Sequence, residues 1–159
     1  MKEKQLAIKV AKAAGEELKK LFYSRRVKTV AKSKHEIVTT ADLLAEKIII
    51  KEIKKTFPNH KILSEESGLT ENTSDYLWII DPLDGTTNFF MHNPIFSVAI
   101  ALLYKKETIL AVTYAPIIDE LYVAEKGKGV TVNNKKIKAA TRNKLSESYL
   151  TFCHGNKDE

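Results

Sequence analysis

The sequence has 159 residues, of which 43% are hydrophobic, and this suits one domain with an ordinary core. The formal net charge is +6, but Lys residues are dispersed among Glu and Asp without a compact basic block, which argues against a nucleic-acid-binding protein. No apolar run approaches the roughly 20 residues that cross a membrane, and residues 1–23 lack the apolar centre of a signal peptide, so no membrane partner is expected.

Two amphipathic helices are predicted in the N-terminal part of the chain. Residues 3–23 place apolar side chains at helical spacing, with Lys and Glu on the opposite face. A second helix begins at Thr40, the expected N-cap, and its apolar face runs to Phe57. Asp42 lies in its first turn, where the local sequence favours an interaction with the helix dipole over a catalytic role. Residues 27–40 are expected to be extended around a polar loop.

The stretch from Trp78 to Phe89 combines a buried strand with two carboxylates. Its apolar start predicts the strand, and Pro82 is expected to break it and leave Asp81 extended at the strand's end. Asp84 follows, before a glycine that permits a tight turn. A plain turn is the alternative, since Asp-Pro and Asp-Gly are common turn dipeptides. Two acids on one bend repel each other unless a cation lies between them, and Mg²⁺ prefers such oxygen ligands.

A second acidic turn precedes this stretch. His60–Ser64 is predicted to be a short strand that leads into Glu65 and Glu66. Taken alone, an exposed acidic turn explains this pair, but adjacent strand ends can converge on one ion. A site of Glu65, Asp81, Asp84 and one backbone carbonyl would hold Mg²⁺ with water positions open. Two such ions about 3.5–4 Å apart would clamp the attacking and leaving oxygens of a displacement.

A helical turn is expected to begin at Gly85-Thr86-Thr87-Asn88. The free N–H groups of a helix start point at anions, and this is a common phosphate site. The Thr86 hydroxyl would then be placed to orient or deprotonate a water. Carboxylates, turn and helix start together indicate phosphate-ester hydrolysis. The basic surface could attract such anionic substrates.

A run of antiparallel strands is predicted after Phe89. Two helices followed by these strands predict an α+β fold, with helices on one face of a mainly antiparallel sheet. Asn133-Asn134-Lys135 is the expected turn of a hairpin. The strands are predicted at residues 95–104, 108–114, 120–124, 130–132, 136–138 and 146–152.

The cysteine and the histidines are assigned to packing and to loops. Cys153 is the single cysteine, so no internal disulfide can form and a cytoplasmic setting is the default. It is expected to be a small buried hydrophobe, because no base is placed beside it. The histidines lack the spacing of a zinc pair and are expected at the surface or in loops: His35, His60, His92 and His154.

These motifs together resemble the inositol monophosphatase family. The resemblance covers nearly the whole chain, in the family's order and spacing. It implies the first half of a layered αβαβα fold, with the two N-terminal helices packed on the sheet. Its elements are the segments 36–42, 64–67 and 78–89, and the Lys126-Gly127-Lys128-Gly129 turn with the hairpin that follows it.

The resemblance implies a magnesium-dependent, lithium-sensitive phosphatase that acts on sugar or cyclitol monophosphates, with inositol-1-phosphate preferred. The complete site would hold two or three Mg²⁺ ions. Glu65 and Asp81 would bind the first ion with the carbonyl of Leu83, and Asp81 and Asp84 would share the second. Glu66 would support these ligands without touching an ion.

The resemblance also assigns the groups that handle water and substrate. Thr86 and Glu65 would hold the attacking water, and Asp42 would hydrogen-bond Thr86. The backbone of Gly85 and Thr86 would bind phosphate, and Asp84 could touch a substrate hydroxyl. Fructose-1,6-bisphosphate is an alternative substrate within the family.

Family members carry a further C-terminal α/β domain with a Trp-Asp-x-Ala-Ala-Gly element, whose Asp completes the second metal site. That element does not occur between Met1 and Glu159. We therefore expect residues 1–159 to be a single N-terminal domain, with the C-terminal domain absent and a homodimer in the full-length form. A non-catalytic fragment is the alternative to an active enzyme.

Overall fold

The computed structural model describes residues 2–24, 29–31, 37–70, 72–141 and 144–147. Their helices are α1 (Lys2–Ser24), α2 (Thr40–Thr56) and α3 (Thr86–Phe90), with a short 3-10 helix at Leu145–Glu147. Their strands are β1 (Thr29–Ala31), β2 (Ile37–Thr39), β3 (Lys61–Ser64), β4 (Gly68–Leu69), β5 (Tyr76–Asp84), β6 (Ser97–Tyr104), β7 (Glu107–Ala115), β8 (Glu120–Glu125), β9 (Gly129–Val132) and β10 (Lys135–Ile137).

Helix α1 forms as the apolar spacing predicts. It packs along α2 and crosses β6 and β7. None of the described helices is long and apolar enough to cross a membrane. The buried residues of α1 recur every three or four positions: Leu6, Ala7, Val10, Ala11, Ala14, Gly15, Leu18 and Phe22.

The N-cap of α2 is Thr39 rather than the predicted Thr40. Thr39 has the extended backbone of an N-cap, and its hydroxyl oxygen accepts a hydrogen bond from the N–H of Ala41 at 3.1 Å. Asp42 completes the capping box by accepting the N–H of Thr39 at 2.8 Å. The choice between two adjacent threonines depends on this reciprocal bond, which the local sequence alone leaves open.

Eight strands form one sheet in the order β10-β9-β8-β7-β6-β5-β3-β4, and every pair is antiparallel except β3 with β5. This confirms the predicted α+β class. β1 and β2 pair separately. Helices α1 and α2 cover one face, where the core includes Trp78, Ile80, Val98, Ile100, Leu102, Leu110, Val112 and Tyr114.

Strand β5 does not break at Pro82 as predicted. It continues to Asp84 through a bulge, because Asp81 pairs with Ala99 while Asp84 pairs with Ser97. Two residues of β5 therefore stand opposite one residue of β6. Proline is tolerated there because a bulge removes the need for its missing N–H.

The two-residue hairpin turns have left-handed backbones. Asn133 and Asn134 have φ values of 46° and 66°, as a tight turn between β9 and β10 requires, and Lys135 already belongs to the strand.

Ser146 and Glu147 lie in the 3-10 helix instead of the predicted strand. The rest of that predicted strand, the polar loop at 32–36, and Cys153, His35 and His154 lie outside the described residues.

The face of the sheet opposite the helices carries partly exposed apolar side chains. Leu63 pairs with Ile79, and each keeps 37% exposure. Leu77 and Leu103 pair further along the same side, because side chains two residues apart share a face. We call these four residues the open face.

Candidate active site

Parallel pairing of β3 and β5 brings Glu65 beside Asp81. Ser64 pairs with Ile80, and the N–H of Glu65 donates to the Ile80 carbonyl at 3.1 Å. The next residue along each strand is one of the two predicted acids. Asp81 is half-buried on the same side of the sheet as Ile79. Two motifs separated in sequence thus meet at one edge of the sheet.

The bulge in β5 shapes the second acidic position. The Asp81 carboxylate accepts a hydrogen bond from the N–H of Leu83 at 3.2 Å, which stabilises the bend. Beyond the bulge, the exposed Asp84 accepts from the Ser97 hydroxyl at 3.3 Å. The bulge re-aims the chain after Asp81 and turns it towards α3.

The carboxyl groups of this site repel one another. Burial, followed by the interactions with Glu65 and with Asp84, raises the pKa of Asp81 to about 7. A hydrogen bond between the carboxyl groups of Glu65 and Asp81 also raises the pKa of Asp81. A cation between the two groups would offset their repulsion.

These residues fit a hard cation in their chemistry, because carboxylate and carbonyl oxygens are its preferred ligands. The coordination that they offer is partial. Among the described residues, no three Asp, Glu, His or Cys side chains lie close enough together to form a metal-binding group. Glu65, Asp81 and the Leu83 carbonyl therefore do not form a closed metal cage within the described part of the chain.

A buried hydrogen-bond network links α2 to α3. Asp42 is 1% exposed, and its Oδ2 accepts hydrogen bonds from the N–H and the hydroxyl of Thr39 at 2.8 and 2.6 Å. Its Oδ1 accepts from the hydroxyl of Thr86 at 2.9 Å. The Thr86 oxygen also lies 3.0 Å from the Leu83 carbonyl. Asp42 therefore caps its own helix and orients Thr86, as the resemblance implies.

Glu46 is a buried residue near the candidate site that the sequence predictions missed. It is 8% exposed, and its Oε1 accepts a hydrogen bond from the N–H of Ser67 at 3.0 Å. This bond ties the turn that carries Glu65 and the half-buried Glu66 to α2. The sequence signal for this residue was an acid one helical turn after Asp42, on the buried face of the helix.

Gly85 lets α3 start close to the neighbouring chain. Its φ is 91°, and a Cβ there would lie 3.0 Å from the Ile95 carbonyl oxygen. The side-chain amide of Asn88 donates to that same oxygen at 2.8 Å. The rings of Phe22, Phe89 and Phe96 pack underneath this turn. Local chemistry and packing thus hold the turn between Asp84 and Asn88 in place.

Comparison with known proteins gives consistent matches. The sequence model of the inositol monophosphatase family matches residues 2–159. The chain is 42% identical over 149 residues to the Nus factor SuhB of Pasteurella multocida, covering 92% of this chain and 55% of that protein. It is 39% identical over 150 residues to the inositol monophosphatase of Dictyostelium discoideum, with coverage of 92% and 55%.

Solved structures match the fold. The extragenic suppressor protein suhB from Bartonella henselae superposes with a TM-score of 0.88 at 35% identity, over 91% of this chain and 57% of that one. The MJ0109 gene product, an inositol monophosphatase–fructose 1,6-bisphosphatase, superposes with a TM-score of 0.80 at 30% identity, over 90% and 57%. The chain spans about half the length of the curated relatives it matches.

Proposed function

This chain belongs to the inositol monophosphatase family, and we propose that it carries the magnesium- and water-holding half of a site that hydrolyses a phosphate monoester, with inositol-1-phosphate as substrate. The observation that carries the proposal is the hydrogen bond between Asp42 and Thr86, which joins residues 44 positions apart beside the Glu65–Asp81 pair. Structural packing alone gives no reason for an oriented hydroxyl next to paired carboxylates.

Glu65, Asp81 and the Leu83 carbonyl would hold one Mg²⁺, and Asp81 and Asp84 would share another. When bound, the ions supply positive charge that neutralises the phosphate and lowers the pKa of water. The position of Asp81 beside Glu65 and Asp84 supports this assignment, because neighbouring carboxyl groups that raise its pKa mark a place where positive charge is favoured.

The remaining groups act on water and on phosphate. The Thr86 hydroxyl donates its proton to Asp42, so its oxygen lone pairs are available to accept a hydrogen bond from the attacking water. Glu65 would then take the proton of that water as general base. The backbone at Gly85 and Thr86 would bind the phosphate oxygens, and Asp84 would contact a hydroxyl of the substrate.

A phosphate-release assay tests the proposal. We expect release from inositol-1-phosphate that requires Mg²⁺, falls with Li⁺ and is abolished by Asp81→Asn, since this change removes a charge that the two proposed ions would share. Lys20→Gln, on the exposed side of α1, is the matched control and should keep wild-type activity. Wild-type turnover by Asp81→Asn would contradict the assignment.

Two alternatives give different results in the same assay. Similarity to a protein described as an inositol monophosphatase–fructose 1,6-bisphosphatase favours fructose-1,6-bisphosphate as a second substrate. The second alternative is a non-catalytic fragment that binds metal without turnover. Magnesium binding that needs Asp81, with no phosphate release from either ester, would identify the chain as a non-catalytic fragment.

The same family premise supports proposals about the whole protein. Residues 1–159 would form one N-terminal domain, and a further α/β domain would complete the second metal site. The full-length form would be a cytoplasmic homodimer. Size-exclusion chromatography with light scattering on the full-length protein tests the homodimer, and a monomer at micromolar concentration would exclude it.

A further inference from the structure

The hydroxyl of Ser64 is buried on the helix-covered face of the sheet, immediately before Glu65. Ser64 follows the buried Ile62 by two residues along β3, so both side chains lie on the side of α1 and α2. Ser64 is 2% exposed, and its Oγ is the one buried side-chain oxygen or nitrogen without a hydrogen-bond partner among the described residues. Because such a group loses its hydrogen bonds to water on burial, its presence calls for an explanation.

Glu46 of α2 brings a carboxylate to the same turn. It is 8% exposed, and its Oε1 accepts the N–H of Ser67 at 3.0 Å. Ser67 lies three residues after Ser64, and Ser64 pairs with Gly68, so this bond closes the buried side of the turn that carries Glu65. Within the described part of the chain it is the one hydrogen bond to the Glu46 carboxylate, so the second oxygen is available as an acceptor.

Helix α2 holds two parts of the candidate site with buried carboxylates one turn apart. Asp42 precedes Glu46 by four residues, and residues with this spacing lie on one face of a helix. Asp42 accepts the hydroxyl of Thr86 at 2.9 Å, while Glu46 accepts from the turn that carries Glu65. In the function proposed above, Thr86 and Glu65 are the two groups that contact the attacking water. One helix is therefore bonded to both of them or to their supports.

We propose that Ser64 and Glu46 are positioning residues for Glu65, joined by one buried water. The water accepts a hydrogen bond from the Ser64 hydroxyl and donates one to the second oxygen of Glu46. Buried waters in proteins commonly satisfy polar groups in this way, with about three hydrogen bonds each. Helix α2 then sets the separation between Glu65 and Thr86. The role in catalysis rests on the proposed phosphatase function, whereas the bridge between the two side chains does not.

Amide hydrogen exchange of the 159-residue chain in EDTA tests the bridge without metal or substrate. In Ser64→Ala the water loses one anchor, so the protection factor of the residue 67 amide should fall about tenfold and the urea midpoint should fall with it. A hydroxyl with no role predicts a higher midpoint, because alanine removes a buried polar group at no loss. Ser67→Ala removes an exposed hydroxyl of the same turn and should change neither quantity. Unchanged protection of residue 67 in Ser64→Ala, or a higher urea midpoint, would overturn the proposal.

Calorimetric titration with Mg²⁺ tests the positioning role. Ser64→Ala should weaken binding about tenfold, as expected for a residue that supports a metal ligand. In a Glu46→Ala background the same change should have no further effect, because the bridge needs both ends. Equal losses in the two backgrounds would refute a shared bridge. A wild-type chain that binds no Mg²⁺ would refute the proposed function and the role for Glu65 together, whereas exchange at residue 67 would still decide whether the bridge exists.

Discussion

At the scale of single residues, Asp42 shows how one carboxylate serves both folding and the site. Its two oxygens accept three hydrogen bonds, two from Thr39 and one from Thr86, at near-complete burial. The two bonds to Thr39 cap the start of α2. The bond to Thr86 is the one that the local sequence does not predict, and it supports the role proposed for Asp42 in the site.

Asp42→Asn should destabilise the chain by about 1–3 kcal/mol. The change replaces one carboxylate oxygen by an NH₂ group, which leaves the hydrogen-bond donor opposite it without an acceptor. Urea denaturation measures the change. Glu3→Gln, at the acidic residue in the first turn of α1, is the control and should cost only about 0.3–1 kcal/mol. Equal costs for the two variants would reduce Asp42 to a helix-dipole charge.

His60 gives stability a pH dependence. Partial burial lowers its pKa below the usual value of 6.5, and its Nδ1 accepts the indole N–H of Trp78 at 3.1 Å, which requires the neutral ring. The unfolded chain binds this proton more readily than the folded chain. The stability due to His60 is therefore present above pH 6.5 and lost as the pH falls through 6.5 towards the lowered folded value.

Urea midpoints between pH 5 and 8 check this dependence, with the single Trp as the fluorescent reporter. His60→Asn offers an amide oxygen near the position of Nδ1 and does not titrate, so the corresponding part of the pH dependence should disappear. A pH profile that is the same in wild type and in this variant would rule out His60 as its source.

At the scale of elements, α1 approaches the sheet most closely at Gly15. A Cβ at this position would lie 2.5 Å from Cδ1 of the Tyr114 ring. The Tyr114 hydroxyl donates to Asp119 at 2.9 Å and lies 3.1 Å from the Glu16 carboxylate. Because the ring is buried and bonded at its tip, it has little room to move aside.

Overpacking in Gly15→Ala should therefore lower the free energy of unfolding by about 1–3 kcal/mol. The better helix propensity of alanine should offset about 1 kcal/mol of this loss. Ala13→Gly, at an exposed position of the same helix, measures the propensity effect alone. A higher urea midpoint for Gly15→Ala would mean that α1 can move away from the sheet without cost.

The turn between β3 and β4 depends on α2 through Glu46. Glu46→Ala removes the acceptor for the Ser67 N–H and should weaken Mg²⁺ binding at Glu65 about tenfold, the lower end for residues that position metal ligands. Glu46→Gln keeps the accepting oxygen and should stay near the wild-type affinity. Isothermal titration calorimetry compares the two, and equal losses would show that charge rather than the hydrogen bond matters.

At the scale of the whole molecule, the sheet joins all the proposed metal ligands, so binding should be linked to folding. Mg²⁺ at 100 times its dissociation constant should add about 2.7 kcal/mol to the free energy of unfolding. Thermal unfolding with MgCl₂, against NaCl at equal ionic strength, measures this effect, and Asp81→Asn should remove it. A wild-type midpoint that does not respond to Mg²⁺ would argue against an ion site in this chain.

The sequence alone determined the α+β class, the two long helices and the positions of the acidic turns. These features depend on helical spacing, strand periodicity and turn residues, which are local. Glu65 and Asp81 could be paired in advance because each follows a predicted strand. The same local rules placed the N-cap at Thr40 and ended β5 at Pro82, since neither the capping box nor a bulge opposite β6 is visible from one strand or one helix end.

Only the tertiary structure decided which residues meet across long separations. It joined Asp42 to Thr86 and Glu46 to Ser67. Such contacts follow from how helices and strands pack, and packing is a property of the whole chain. Sequence spacing therefore identified which groups could do chemistry, while packing decided which of them are held together.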